Sequence, residues 1–248
     1  MFFSGQGPVF VAPVNGSGVI GALFDIGNLE SFQIGFEPNV ITDKESKSGN
    51  RLVAARIETE LTANMEIVLK EPNLKNLEAM FRSAKVANIG ASVVDEVNTQ
   101  AGLAVGDYII TKFQNISAVT VKDSAGSPLT LVLNTDYVIE SLKFGRIRLL
   151  TTPGAQPYKV SYTHAARTIV PLFNAPQASF FVHMEGINTV DSTNFLAQFY
   201  NIRLSPPTDF PLLNDEFGRY TLSGEVLIDP TREGDPNFGR FGRLSNPI

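Results

Sequence analysis

The residues able to do chemistry are few in this chain and poorly spaced for it. His164 and His183 are the two histidines and cysteine is absent, which excludes disulfides and thiolate metal sites. Neither histidine has a second His at metal-ligand spacing, and a solitary imidazole is far more often structural or exposed than a ligand. A Ser-His-Asp triad needs no adjacency in sequence, but no G-x-S-x-G elbow marks a nucleophile. GQGPVF at 5–10 lacks the Gly-Lys-Ser/Thr ending and the preceding strand of a phosphate loop. What remains is a row of carboxylates, Glu58, Glu60 and Glu66, in ARIETELTANMEIVL. A glycosidase pair sits in a cleft that drives its two pKa values apart. A carboxylate row on an open strand reads first as a solvated face. The inventory therefore leads to no enzyme and no cofactor.

The element carrying that row is the clearest in the sequence. In residues 55–69 the odd positions hold Ile57, Leu61, Ala63, Met65, Ile67 and Leu69, with Thr59 the exception. The even positions from 56 to 66 hold Arg56, Glu58, Glu60, Thr62, Asn64 and Glu66, all polar. Period 2 over that length predicts a long strand with one buried and one wet face. Phe32, Ile34 and Phe36 predict a short strand before it, and residues 37–52 between them a long polar loop carrying Asp43, Lys44, Glu45, Lys47 and Arg51. Residues 71–85 form the one convincing helical pattern, with Leu74, Leu77, Phe81 and Ala84 on a face, Pro72 in the first turn and Arg82 and Lys85 at the end.

The flanks are simpler to read. Residues 1–18 predict an extended arm, frayed or ordered against a neighbouring subunit, and unlike a secretion signal because Gly5, Gly7, Pro8 and Pro13 break the apolar run. No stretch approaches the roughly 20 apolar residues that span a bilayer. A product made and used in the cytoplasm, or in an assembly built there, is expected. Residues 88–165 predict a β-rich insertion with strands at YIITKF, AVTVKD, LTLVL, YVIES, GRIRLL and YKVSYTH. After residue 168 longer strands return: Phe180, Val182 and Met184 share a face, NFLAQFYNIRLSP is apolar on both faces, and RYTLSGEVLIDP alternates. The tail from Thr231 is expected to be irregular. The chain is 43% hydrophobic, 18% charged and of net charge −5, which gives none of the basic excess of a general nucleic-acid binder.

Three stretches in this order resemble the tail tube proteins (major tail proteins) of long-tailed bacteriophages. One is LNTDYVIESLKFGRIRLL followed by YKVSYTH, within 133–164. Another is the succession of strand, polar loop, alternating strand and helix over 30–85. The last is EGINTVDSTNFLAQFYNIRLSP with DEFGRYTLSGEVLIDP. The resemblance implies a mainly β fold: two antiparallel sheets in a sandwich or barrel-like tail tube core, flanked by one α-helix and carrying a β-rich insertion. The core would be 1–87 with 166–248, and the insertion 88–165. It further implies a structural virion protein whose hexameric rings stack into a tail tube for genome delivery. The tube would be assembled in the host cytoplasm and located in the virion tail. Its partners would be copies of itself, a tape measure protein, and tail terminator or baseplate proteins, with no membrane and no specific DNA binding. Four strands from each of six copies, about 4.8 Å apart, give a barrel of roughly 115 Å circumference and about 37 Å diameter before tilt.

That role assigns faces. Lysine or arginine lining would hold passing phosphates through counterion release, whereas the even face from 56 to 66 has a net charge of −2 per copy. Glu58, Glu60, Thr62, Asn64 and Glu66 are therefore expected to face the lumen. Asp43, Lys44, Glu45, Lys47 and Arg51 are expected to reach the adjacent ring. Competing readings are another phage virion or secretion-tube component of the same architecture, a carbohydrate-binding β-sandwich, and a hydrolase with a dispersed carboxylate pair.

Overall fold

The computed structural model describes residues 2–100, 102–232 and 234–246. Met1, Glu233, Pro247 and Ile248, which belong to the expected arm and tail, lie outside the described residues. The chain begins with β1 (Gly5–Gln6), β2 (Val9–Val14), β3 (Phe24–Asp25), β4 (Leu29–Lys44), β5 (Val53–Leu69) and α1 (Leu74–Met80). It continues through β6 (Val86–Asn88), β7 (Ala91–Val97), β8 (Tyr108–Ile110), β9 (Ile116–Lys122), β10 (Tyr137–Ser141), β11 (Arg146–Leu149), β12 (Lys159–His164) and β13 (Arg167–Ile169). It ends with β14 (Ser179–Asn188), β15 (Thr193–Leu204), β16 (Tyr220–Val226) and β17 (Gly242–Ser245). The protein is mainly β, with several antiparallel sheets and, among the described residues, one α-helix. Two compact units divide it, Met1–Ala84 with Val170–Ile248 and, between them, Lys85–Ile169. The sequence reading set these joints at 87/88 and 165/166.

The first unit is built on one nine-stranded sheet in the order β3-β2-β14-β15-β16-β5-β4, with β1 added to β14 and β17 to β15. Residues from β2, β5, β14, β15 and β16 meet in a single core that includes Val9, Ile67, Leu69, Val182, Ile202 and Leu222. The sheet therefore curls around its own apolar face without closing into a barrel. The N-terminal stretch is part of this structure: β2 lies along β14, pairing Val11 with Val182, and buries Val9, Val11 and Ala12. Its alternating valines make it a core strand, so the frayed or partner-dependent arm expected over 1–18 is corrected for residues 9–14.

The helix is shorter than its pattern and turned differently. Asn73 caps it, accepting from Asn76 N at 2.8 Å. The buried residues are Asn76 and Met80, whereas Leu74 is 39% exposed. Asn76 also donates to Ile26 O at 2.8 Å, so a polar side chain holds the position the pattern gave to leucine. The helix stops at Phe81. Arg82 adopts φ +46°, its N–H pairs with Ala79 O, and Ser83 N–H pairs with Glu78 O at 2.8 Å. This Schellman arrangement normally uses glycine and here uses arginine.

Strand β15, apolar on both faces, has both covered by its own chain. Ala197, Phe199, Ile202 and Leu204 face the core. Tyr200 lies on the other side with Phe181, Ala12 and Phe238, and Arg232 stands 4.3 Å over its ring. The tail expected to be irregular returns as β17, pairing Leu244 with Ala197.

The second unit sets two three-stranded sheets, β10-β11-β8 and β7-β12-β9, around Ile109, Val121, Ile147, Leu149, Tyr158 and Val160. Strand β7 was not foreseen, and LTLVL forms an isolated Lys122–Thr130 bridge instead of a strand. The β10–β11 ribbon turns at Gly145, with φ +66° and Thr111 packed where a side chain would begin. Asp136 fastens its base, accepting from Val132 N at 2.8 Å and Thr151 Oγ1 at 2.7 Å. A bulge brings out Glu140, which pairs with Arg146 at 3.3 Å and Arg148 at 2.7 Å. The ribbon's arginines thus have partners within it.

Candidate assembly surface

Strands β4 and β5 pair from Leu29–Leu69 out to Lys44–Val53. Only the inner end of this ribbon belongs to the core: β5 meets β16 no further out than Ala63. Beyond Ala63 the two strands form an arm with each outer edge unpaired among the described residues, and every residue from 53 to 61 is exposed. At about 3.4 Å per residue, the stretch from Phe36 to Lys44 reaches roughly 27 Å. An isolated two-stranded ribbon is marginally stable in water.

The long polar loop expected over 37–52 is corrected by this arm. Residues 37–44 continue β4, because Val40 and Ile41 supply strand residues opposite Glu58 and Ile57. Asp43 and Lys44 are ladder residues, pairing with Ala55 and Val53. The loop itself is 45–52, carrying Glu45, Lys47 and Arg51. The Glu45 carboxylate closes it, accepting from the backbone N–H of Lys47 and of Ser48 at 3.1 Å each and from the Ser48 hydroxyl. The hydrogen bond from that hydroxyl is the main reason the Glu45 pKa is held below its ordinary value.

The five residues expected on one wet face do not all share it. Along β4 the pairing steps from Asn39–Glu60 directly to Val40–Glu58, leaving Thr59 as a bulge. Cross-strand partners project from the same face and neighbours on a strand from opposite faces. Glu60, Thr62, Asn64 and Glu66 therefore lie together, opposite Asn39, Glu37, Gly35 and Gln33, while Glu58 and Arg56 project from the other side. The bulge removes the one arginine from the wet face and puts Ile57 there instead. With Glu37 and Asp43 on the same side, the acidic face of the β4–β5 ribbon carries four carboxylates and no basic residue of either strand. Glu225 extends it, paired with Asn64 from β16.

Two apolar residues sit at the outer end of that face. Ile41 and Ile57 are cross-strand partners and are 62% and 63% exposed. Neither the acidic additions nor this pair could be read from β5 alone, because both depend on which β4 residue lies opposite. Sequence signals existed only in part: Ile41 and Ile57 are visible as apolar residues in polar surroundings.

The histidines lie elsewhere. His164 is buried and stacks on Phe113, with ring centroids 4.2 Å apart. His183 joins a directed chain of hydrogen bonds. Arg243 Nε donates to Gln198 Oε1 at 2.8 Å, and Gln198 Nε2 donates to His183 Nδ1 at 2.9 Å. His183 Nε2 then meets Glu185 at 3.2 Å. Arginine is donor-only, so the chain has one direction and the imidazole proton sits on Nε2. Among the described residues no cluster of three or more His, Asp or Glu could hold a metal ion. No described helix is long and apolar enough to cross a membrane.

Residues 2–245 match the family described as "Protein of unknown function UCP028589", and the chain belongs to that family. No curated protein matches it.

Proposed function

We propose that this protein is a self-assembling structural subunit, the tail tube protein of a long-tailed bacteriophage. Its rings, six copies each, stack into a conduit for the genome. The observation that carries the reading is the sixteen-residue edge of β4, unpaired along its length among the described residues, whose outer part belongs to an arm with exposed Ile41 and Ile57. A long open edge is a liability that natural proteins blunt or pair. Here copies of the same chain pair it. The arm then gains the packing that a lone ribbon lacks, and Ile41 and Ile57 leave water.

The acidic face completes the role. Glu37, Glu60, Glu66 and Glu225 line the bore in this reading, and fixed negative charge within a Debye length of about 8 Å repels phosphate. DNA therefore passes without being held. The charged tip at 45–52 contacts the adjacent ring, where mixed signs set register more than affinity. Tape measure and tail terminator or baseplate proteins are the further partners, and the protein catalyses no reaction.

Negative-stain microscopy of purified, concentrated protein, beside its light-scattering mass, tests this. Rings or hollow filaments are expected. A monomer at the highest attainable concentration would overturn it.

A further inference from the structure

The loop between β15 and β16 presents to solvent the kind of side chain that folding usually hides. Leu212, Leu213 and Phe217 are 84%, 97% and 91% exposed. The segment is fastened at both ends. Phe210 packs against Phe81 and against Tyr220, each with ring centroids 5.0 Å apart, and Arg219 pairs with Glu30. Between these anchors the adjacent Asp215 and Glu216 lie between the leucines and Phe217, and Asp209 precedes Phe210. The stretch DFPLLNDEF is thus apolar and acidic together.

The same unit carries a groove of complementary character. A cavity of about 400 Å³ borders α1, with Phe24, Ala79, Phe180 and Leu204 as apolar lining and Lys75 and Arg82 as cations. Glu78 also borders it, leaving the groove at net +1 against −3 for the loop segment. Lys75 Nζ stands 5.0 Å over the Phe24 ring. Arg82 Nη2 donates to Leu204 O at 3.2 Å, yet Arg82 Nε and Ser83 Oγ are buried with no hydrogen-bond partner among the described residues. Buried donors without acceptors are costly, the more so on a charged group. Carboxylates reaching this groove would relieve them.

We propose that the Leu212–Phe217 loop of one copy docks in the α1 groove of a second copy. The leucines cover the apolar lining, and Asp215 and Glu216 face Lys75 and Arg82. The inference rests on the self-assembly reading above and names a contact through which copies join. Loop and groove are different surfaces of one chain, so the contact is head-to-tail, the kind that forms a ring where its rotation closes.

The test uses full-length chains in sedimentation velocity over a concentration series. The loop variant carries Leu212→Ser, Leu213→Ser and Phe217→Ser; the groove variant carries Ala22→Arg and Lys75→Glu, both on the groove's lining and at exposed positions. Each variant is expected to melt like the wild type and to associate at least about tenfold more weakly. Mixing the two restores association between unlike copies, because each keeps the half the other lacks. A second pair, Asp215→Lys with Glu216→Lys against Lys75→Glu, is expected to associate when mixed and not when separate. If the wild type assembles and the variants assemble at the same concentrations, this contact is wrong while self-assembly stands. If the wild type never leaves the monomer, both readings fall.

Discussion

Replacing Ile41 and Ile57 by serine separates the folding of one copy from the joining of two. Both side chains are nearly two-thirds exposed on the arm and pair with each other across the ribbon. In an isolated copy little apolar contact is lost, so stability is expected to change by no more than about 0.5 kcal/mol. In the proposed assembly the remaining exposed surface would be buried. Full burial of such a side chain contributes about 1.5–3 kcal/mol, and the fraction still exposed scales this to roughly 1–2 kcal/mol per residue. Each arm therefore loses about 2–4 kcal/mol of contact, a factor of roughly 30 to 1,000 in its association constant. Thermal melts of dilute protein and light scattering across a concentration series read the two effects separately. An unchanged melt with assembly shifted to much higher concentration is expected. Assembly at wild-type concentrations, with an unchanged melt, would refute the claim that the arm's apolar pair lies in an interface.

Gly224→Ala is expected to destabilise the first unit by about 1–3 kcal/mol in chemical denaturation, because crowded sites tolerate added carbon poorly. Its new Cβ would sit 2.6 Å from the Arg203 carbonyl oxygen on β15. Acid is expected to weaken the second unit. Backbone hydrogen bonds, from Ala155 N–H to Asp123 and from Val132 N–H to Asp136, are the largest causes holding these carboxyls below their ordinary value of 3.8. Folded pKa values below the unfolded ones add stability that is present above the unfolded value and lost as pH falls through the folded one. Urea melts between about pH 5 and about pH 2 should show that decline, and Asp136→Asn should flatten it. If the protein forms the proposed tube, Glu60→Lys with Glu66→Lys is expected to leave tubes intact while making them retain short DNA duplexes at low salt. Glu58→Lys, across the bulge, should retain no more than wild type, and equal retention by the two would remove the distinction between faces.

Much of the wet and buried patterning was legible because it is local. Ala63, Met65, Ile67 and Leu69 alternate in sequence and are all buried. Tyr158, Val160 and Tyr162 do the same in the second unit. The helix was legible in kind but not in length: the pattern ran on to residue 85, while the chain leaves the helix at Arg82. Ala84 and Asn174 then hold the backbone through hydrogen bonds from Ala84 N to Asn174 Oδ1 at 2.8 Å and from Asn174 Nδ2 to Ala84 O at 3.3 Å. That partner lies 90 residues away in sequence, beyond the reach of any periodicity.

By itself the sequence determined the strand-rich character, the β insertion, and the absence of any thiol or metal-ligand spacing. These follow from residue types and from a period of two that each strand carries alone. The tertiary structure decided which carboxylates stand together and where the apolar arm begins. A single unpaired residue, Thr59, moves Arg56 and Glu58 to the other side of the ribbon. That shift belongs to the pairing of β5 with β4, because a face is a property of two strands in register and neither strand's sequence contains it.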